Sequence, residues 1–532
     1  MPDLVITGAK IHGVRGDAIA VRDGRIVGVG DESYVTSVVP ARTERLHLPG
    51  KMVVPGFQDA HVHAPFAGRD QLRVYLNDLA GKDAYLAAIS AYAAANPDEE
   101  WITGGGWAME HFPGGTPSKQ DLDRIVPDRP VFLFNRDVHG AWVNSAALRI
   151  GGITAETPDP SDGRIERDAS GEPSGMLQEG AAYTFRDRFL PPLSSQEWEA
   201  AILHAQEYLH RLGITGWQDA WVTPETLAAY RSLADSGQLT ARVAAALWWE
   251  RHLGLEQVES FVEQASWGSG GNVCVRTVKI MTDGVLENYT GALLSPYHHG
   301  CGDNTGLSYL NSAQLAAAVT ELDRLGFGVH MHAIGDRACR DSLDAVAAAR
   351  STNGVSPNRH HIAHLQLIDP TDIPRFGQLG VTANMQAYWA QRDGQLEELT
   401  RPFLGDERTN RMYPFADLRT SGARIAAGSD WPVSTPDPLA QMEVAVRRRS
   451  PDDRENDPFL PGQALSLSDA LDAFTAGSAY VNYDDDAGII AVGKRADLTI
   501  LDQDIFACPD GMVADATVDF TIVSGAVVYS RT

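Results

Sequence analysis

Eight β-rich runs, most of them separated by helical patterns, set narrow limits on the fold of this 532-residue chain. The runs begin near Met52, Ile214, Val243, Val273, Phe327, His360, Val381 and Arg424. Residues 197–212, 223–236, 312–325 and 337–350 carry the apolar spacing of amphipathic helices. Strands that alternate with helices pair in parallel, and eight such units predict a closed (β/α)8 barrel of TIM type. Short β-rich, Gly-punctuated segments occupy both ends of the chain, among them Leu4-Val5-Ile6-Thr7 and Val518-Asp519-Phe520-Thr521-Ile522-Val523. We expect residues 1–55 and 480–532 to form one composite β-sandwich domain, with the barrel in residues 56–66 and 196–479. Residues 67–195 are too long for a crossover and carry strands of their own. They predict an inserted α+β subdomain near the barrel mouth.

The chemistry concentrates at the ends of these runs. His61 and His63 are two residues apart, so on a strand they face the same side and can grip one ion; otherwise they are two polar residues in a loop. Lys279 sits among apolar residues in Val278-Lys279-Ile280-Met281. Burial disfavours its charged form, and a neutral amine can take up carbon dioxide to give a carbamate that bridges two metals; the alternative is a snorkelling or salt-bridged lysine. His332 ends the fifth run, His364 the sixth and Asp430 the eighth. All six residues fall at C-terminal strand ends, where barrels build their active sites. His330 shares a strand face with His332, and we expect it one layer deeper, as a hydrogen-bonded core residue.

These motifs resemble the amidohydrolase superfamily, and within it amidohydrolase family 3, the YtcJ-like branch. The resemblance spans nearly the whole chain. It rests on Val54-Pro55-Gly56-Phe57-Gln58-Asp59-Ala60-His61-Val62-His63, on Lys279 in its strand and on His332-Ala333-Ile334-Gly335-Asp336. Gly428-Ser429-Asp430-Trp431-Pro432 and His139-Gly140-Ala141-Trp142 match as well. The resemblance implies a metal-dependent hydrolase that cleaves a non-peptide C–N bond. One or two divalent ions, zinc foremost, would sit on His61, His63 and Asp430 and on His332 and His364, with carbamylated Lys279 between them. Asp430 would act as general acid–base toward metal-activated water. The stretch 283–293 is similar to N-substituted formamide deformylase, which implies release of formate and an amine. Two positions depart from the pattern: Ala363 stands where relatives often carry an acid, and His361 where they often carry Arg.

Other features are weighed beside this centre. Trp221, Tyr289, Tyr388 and Glu287 are candidate substrate contacts at the rim, and His111 and His139 lie in the insertion. His298-His299 and the run Arg447-Arg448-Arg449 read as solvated or salt-bridged loops. Acidic residues number 70 against 44 Lys plus Arg, which excludes nucleic acid and anionic membranes as partners. Four cysteines without CxxC spacing, no long apolar run and no basic-apolar leader lead us to expect a cytoplasmic protein with a small-molecule substrate. The resemblance leaves room for a homodimer. Rival readings are a lactone, ester or carbamate hydrolase or a deaminase on the same centre, or an inactive metal-binding scaffold.

Overall fold

In the computed structural model, which describes residues 3–298 and 302–531, eight parallel strands follow one another in chain order around a barrel. They are β1 (Phe57–Val62), β2 (Ile214–Val222), β3 (Arg242–Trp248), β4 (Val273–Met281), β5 (Gly328–Ala333), β6 (His361–His364), β7 (Thr382–Met385) and β8 (Ile425–Ala427). Several of the helices between them start at side-chain caps. Ser194 and Glu197 form a reciprocal capping box ahead of Ser195–Arg211, and Asn311 with Gln314 does the same ahead of Ser312–Arg324. The first of these helices buries Trp198, Ala201, Ile202, Ala205 and Leu209, the spacing of one helical face.

The run that begins at Met52 is two strands rather than one. Met52–Pro55 pairs antiparallel with Leu498–Leu501, and only from Phe57 does the chain enter the barrel beside Ile214. Gly56 makes the transition. Its N–H bonds the Asp497 carbonyl at 2.8 Å, and a Cβ there would lie 2.5 Å from Thr215.

The terminal strands build two facing layers. One sheet holds Leu4–Thr7, Ala18–Arg22, Arg25–Gly30 and Glu44–His47; the other joins Lys10–Ile11 and Met52–Pro55 to three strands between Leu498 and Ser530. Ile6, Ile19, Val21, Val53, Leu498 and Ile500 share the core between them. Between β1 and β2 a six-stranded mixed sheet runs from Val74–Tyr75 to Pro173–Glu179, with Trp107, Leu133, Trp142 and Met176 buried on one face. Arg448 corrects an expectation: it is buried under Phe415 and Phe459, and its Nε donates to the Phe459 carbonyl at 2.9 Å. No helix among the described residues is long and apolar enough to cross a membrane.

Backbone ladders link each neighbouring pair from β1 to β8, but none runs between β8 and β1. That seam closes at its upper end instead. Asp430 N–H donates to the His61 carbonyl at 2.7 Å, and His63 N–H donates to the Trp431 carbonyl at 2.9 Å. Asp59 Oδ1 accepts from both His61 N–H (2.9 Å) and Ser429 N–H (3.1 Å). The strands approach so closely that a Cβ on Gly428 would lie 2.5 Å from the His61 backbone nitrogen. Gly428→Ala is therefore expected to cost about 2 kcal/mol through forced separation of the seam. A lowered thermal midpoint checks this; an unchanged midpoint would show that the seam can yield.

Candidate metal centre

The seam and the neighbouring strand ends bring the six sequence-predicted residues to one rim. His61 and His63 leave β1 and its end, Asp430 follows β8, and Nε2 of each histidine lies 3.2 and 3.0 Å from Asp430 Oδ1. The ligand atoms of these three side chains all fall within 4.8 Å of one another. His364, at the end of β6, places its ring 4.7 Å from that of His61 and 4.5 Å from that of His332. Its Nδ1 is 3.9 Å from Asp430 Oδ2. Lys279 lies on β4 beside β5 and is 1% exposed. Both His364 (φ 77°) and Asp430 (φ 56°) adopt the left-handed backbone region, a sparsely populated conformation that clusters at functional sites.

The donor set fits a divalent cation. His61 Nε2, His364 Nδ1 and Asp430 Oδ1 are all buried without a hydrogen-bond partner in the protein, although they converge. Orphaned buried polar atoms are costly, and three that converge with imidazole and carboxylate chemistry suit a borderline metal such as zinc. Two of the imidazoles, those of His332 and His61, are hydrogen-bonded from behind. His332 Nδ1 bonds Asp283 Oδ1 at 3.0 Å, and that carboxylate also accepts from the backbone N–H groups of Ala292, Ile334 and Gly335. His364 is held through its backbone N–H, which donates to Gln386 Oε1 at 2.7 Å. His330 lies beneath His61, 2.8 Å from its Nδ1.

Dehydration sets the charge states. Burial pushes Lys279 down to about 7, with Asp430 opposing. Burial, together with Lys279, also holds His61, His332 and His364 well below the usual imidazole range, so they present neutral lone pairs.

The amidohydrolase-family profile matches residues 47–529. The chain belongs to the amidohydrolase family. It is 31% identical to the putative amidohydrolase YtcJ of Bacillus subtilis over 98% of this chain and 97% of that one. It is 28% identical to the N-substituted formamide deformylase of Arthrobacter pascens, over 100% of this chain and 99% of that one. Among solved structures, an uncharacterized metal-dependent hydrolase from Pyrococcus furiosus superposes with a TM-score of 0.71 at 25% identity, covering 94% of this chain and 99% of that one. The protein is thus a metal-dependent hydrolase of the amidohydrolase family.

Beside the centre of this amidohydrolase lies a cleft of about 350 Å³, lined by residues from the insertion and the barrel loops. Trp389 forms one wall and stacks on His364 with ring planes 2° apart; Trp431, next to Asp430, forms another. Tyr388 and Glu287 line this cleft, as does Asp137. Thr400 Oγ1 donates to Glu287 Oε1. Two candidates fall elsewhere. Trp221 stacks on Trp248 and turns an edge toward His63, but lines a separate cavity with Phe66 and Arg186. Tyr289 packs between Tyr297 and Phe403 and does not line the cleft. In both cases aromatic partners unseen in the sequence claim the ring. His298 is exposed, and His299 and Cys301 lie outside the described residues.

From the insertion, His139 comes within 5.7 Å of the His332 ring, whereas His111 packs against Tyr85. Against burial, Glu179 lifts His139 to about 9 across a 2.9 Å contact, and Glu179 falls to about 2. Sequence reasoning missed Glu179, Asp283, Gln218 and Asp59. The signal available was a polar residue inside an apolar strand pattern, as in Ile214-Thr215-Gly216-Trp217-Gln218-Asp219-Ala220-Trp221. Asp283→Ala strips the partner from three backbone N–H groups and the His332 ring. It is expected to destabilise the protein by about 3 kcal/mol or more and to weaken zinc binding about 10- to 100-fold. Thermal unfolding and chelator competition measure the two effects, and wild-type zinc affinity in the variant would refute the support role.

Proposed function

We propose that the protein hydrolyses the amide bond of a small organic substrate, an N-substituted formamide foremost, to formate and an amine. The observation that carries this reading is the convergence of unpartnered His61 Nε2, His364 Nδ1 and Asp430 Oδ1 at the C-terminal ends of the barrel strands. The formamide reading is supported by the likeness to the Arthrobacter deformylase over the full chain.

In this reading His61, His63 and Asp430 would hold one divalent ion and His332 and His364 a second, with Lys279 contributing once carbamylated. A cation held there supplies Lewis acidity, which acidifies water and polarises the substrate carbonyl. The Lys279 amine, held down to about 7, is available unprotonated to attack the carbon of CO2 and, on losing a proton, to become a carbamate anion. Asp430 accepts the proton of the attacking water and returns it to the leaving nitrogen, so that the amine departs neutral. Trp389 and Trp431 shield the reacting atoms and give an N-substituent apolar surface to lie on.

The cleft also selects by charge. Burial pushes Asp137 and Asp393 up to about 6, and Glu287 upward as well, with Glu287 adding to the rise at both aspartates; Arg136 is the cation of the same cleft and lies 3.6 Å from Glu110. At a separation of roughly 10 Å and an effective dielectric of about 20, one like-charge contact costs about 1.7 kcal/mol, a factor of nearly twenty.

Two measurements test the proposal. Chelation is expected to abolish formate release from N-benzylformamide and zinc to restore it, and Asp430→Asn to lower kcat/KM by roughly 100- to 10,000-fold. Full activity in a thoroughly demetallated sample, or turnover of lactones with no formamide hydrolysis, would overturn it. Across neutral and carboxylate-bearing N-substituents of one size, the anionic formamide is expected to react at least about tenfold more slowly. Equal rates would remove the cleft carboxyls from the specificity argument.

A further inference from the structure

We propose that His330 is a positioning residue that fixes which nitrogen of His61 faces the metal centre, through a hydrogen-bond chain anchored on a backbone carbonyl. The chain starts at the barrel floor. Gln218 Nε2 lies 3.0 Å from the Val481 carbonyl, a group that can only accept, so the amide nitrogen must point that way. Gln218 Oε1 then faces His330 Nδ1 at 2.6 Å. An amide oxygen cannot donate, so the proton resides on His330 Nδ1.

The two ring nitrogens of His330 bond only Gln218 and His61, and no carboxylate bonds the ring to favour a second proton. His330 Nε2 therefore offers a lone pair. It lies 2.8 Å from His61 Nδ1, which must donate. His61 Nε2 is left with its lone pair directed at the centre, 3.2 Å from Asp430 Oδ1, where two acceptors face each other without a hydrogen bond and a cation between them would satisfy both.

The alternatives each set like against like. Moving the His330 proton to Nε2 opposes its Nδ1 lone pair to an amide oxygen at 2.6 Å. Flipping the Gln218 amide to relieve that opposes its oxygen to the Val481 carbonyl at 3.0 Å. Gln218 and His330 are 0% exposed and His61 is 1% exposed, so bulk solvent is not there to mend either fault. His361 shares the Gln218 oxygen through Nε2 (2.9 Å) and reaches the Arg359 carbonyl through Nδ1 (3.1 Å); by the same rule its proton belongs on Nε2, facing the nearer acceptor, which adds a second donor to the Gln218 oxygen and leaves the chain intact. The order of protons stands on hydrogen-bond chemistry alone, while its consequence for metal binding rests on the reading of the centre given above.

The test uses the full-length protein. With 15N-labelled histidine, the metal-free enzyme is expected to show His330 and His61 both as the Nδ1–H tautomer, assigned by loss of signals in His330→Gln and His330→Leu. His330 seen as Nε2–H would overturn the proposal. Chelator competition with zinc gives a second readout. His330→Leu is expected to bind about 10- to 100-fold more weakly, while His330→Gln, whose amide oxygen still accepts from His61, stays within about threefold of wild type by the same reasoning. Wild-type zinc affinity in His330→Leu would overturn the positioning role. A wild-type protein that binds no zinc would overturn the metal reading instead, and the tautomer measurement would still decide the chain of protons.

Discussion

The seam between the first and last barrel strands is the constraint on which the rest of the structure depends. A parallel barrel is ordinarily held by continuous ladders, but here β1 and β8 lack one. They meet through the bonds joining Asp430 to His61 and His63 to Trp431, and through the Asp59 carboxylate across both strands. The bonds that close the barrel are made by the backbones of the same residues whose side chains converge at the candidate metal centre. Closure and ligand placement are one event. The left-handed conformations of His364 and Asp430 cost roughly 1–3 kcal/mol each, which these bonds and the Gln386 contact to His364 help to offset.

Beneath the centre the barrel departs from the usual layers of branched aliphatic side chains. Gln218, His330, His361 and Asn384 are buried there, and the segment around Val481 and Asn482 meets them from below. Asn384 donates to the Ala60 carbonyl at 2.9 Å, and Asn482 to Gln58 Oε1 at 2.9 Å. Such an interior is tolerable only when its polar groups are paired, and pairing then leaves few alternative arrangements. Rigidity of this kind suits a centre whose imidazoles must be presented neutral and in a single orientation. It also explains why the C-terminal segment returns under the barrel: it supplies the carbonyl that sets the direction of the whole network.

Much of this was legible in the sequence because it depends on local pattern. Seven of the eight strand starts fall within a residue of their expected places, and the six candidate ligand residues lie at or near the strand ends on which the sequence pattern puts them. The exception is informative. Met52 to Val62 reads as one apolar run, but Gly56 divides it between two sheets, and only the pairing partners at Leu498 and Ile214 reveal the division. What could not be read were meetings between distant residues. Asp283 supports His332 across 49 positions, and Gln218 reaches His330 across 112. The departure at Ala363 resolves in the same way, since Gln386, not an adjacent acid, holds the His364 backbone. Trp221 and Tyr289 looked like rim contacts because aromatic residues near a strand end suit either a pocket or a packing role, and nothing local distinguishes the two.

The insertion and the barrel divide the work. Ligands come from strand ends whose positions the ladders dictate, so they tolerate little change. Tyr75, Asp137 and His139 come from the inserted segment, which has its own cores around Trp142 and Phe132 and owes the barrel only a docking surface. Replacing a cleft residue such as Asp137 leaves the backbone bonds of the seam in place, whereas Asn77 of the same segment donates to the Pro432 carbonyl next to it. A charged or aromatic side chain in the insertion can therefore alter what the cleft accepts without altering the residues gathered at the strand ends. The Glu179–His139 pair is one point where this independence ends. Thr290, on the loop after β4, donates to Glu179 at 2.8 Å, and Asn288 of that loop bonds the His139 carbonyl at 3.3 Å. Through those two bonds the position of the insertion is tied to the strand that carries Lys279, so the cleft keeps its register with the metal centre even as its walls vary.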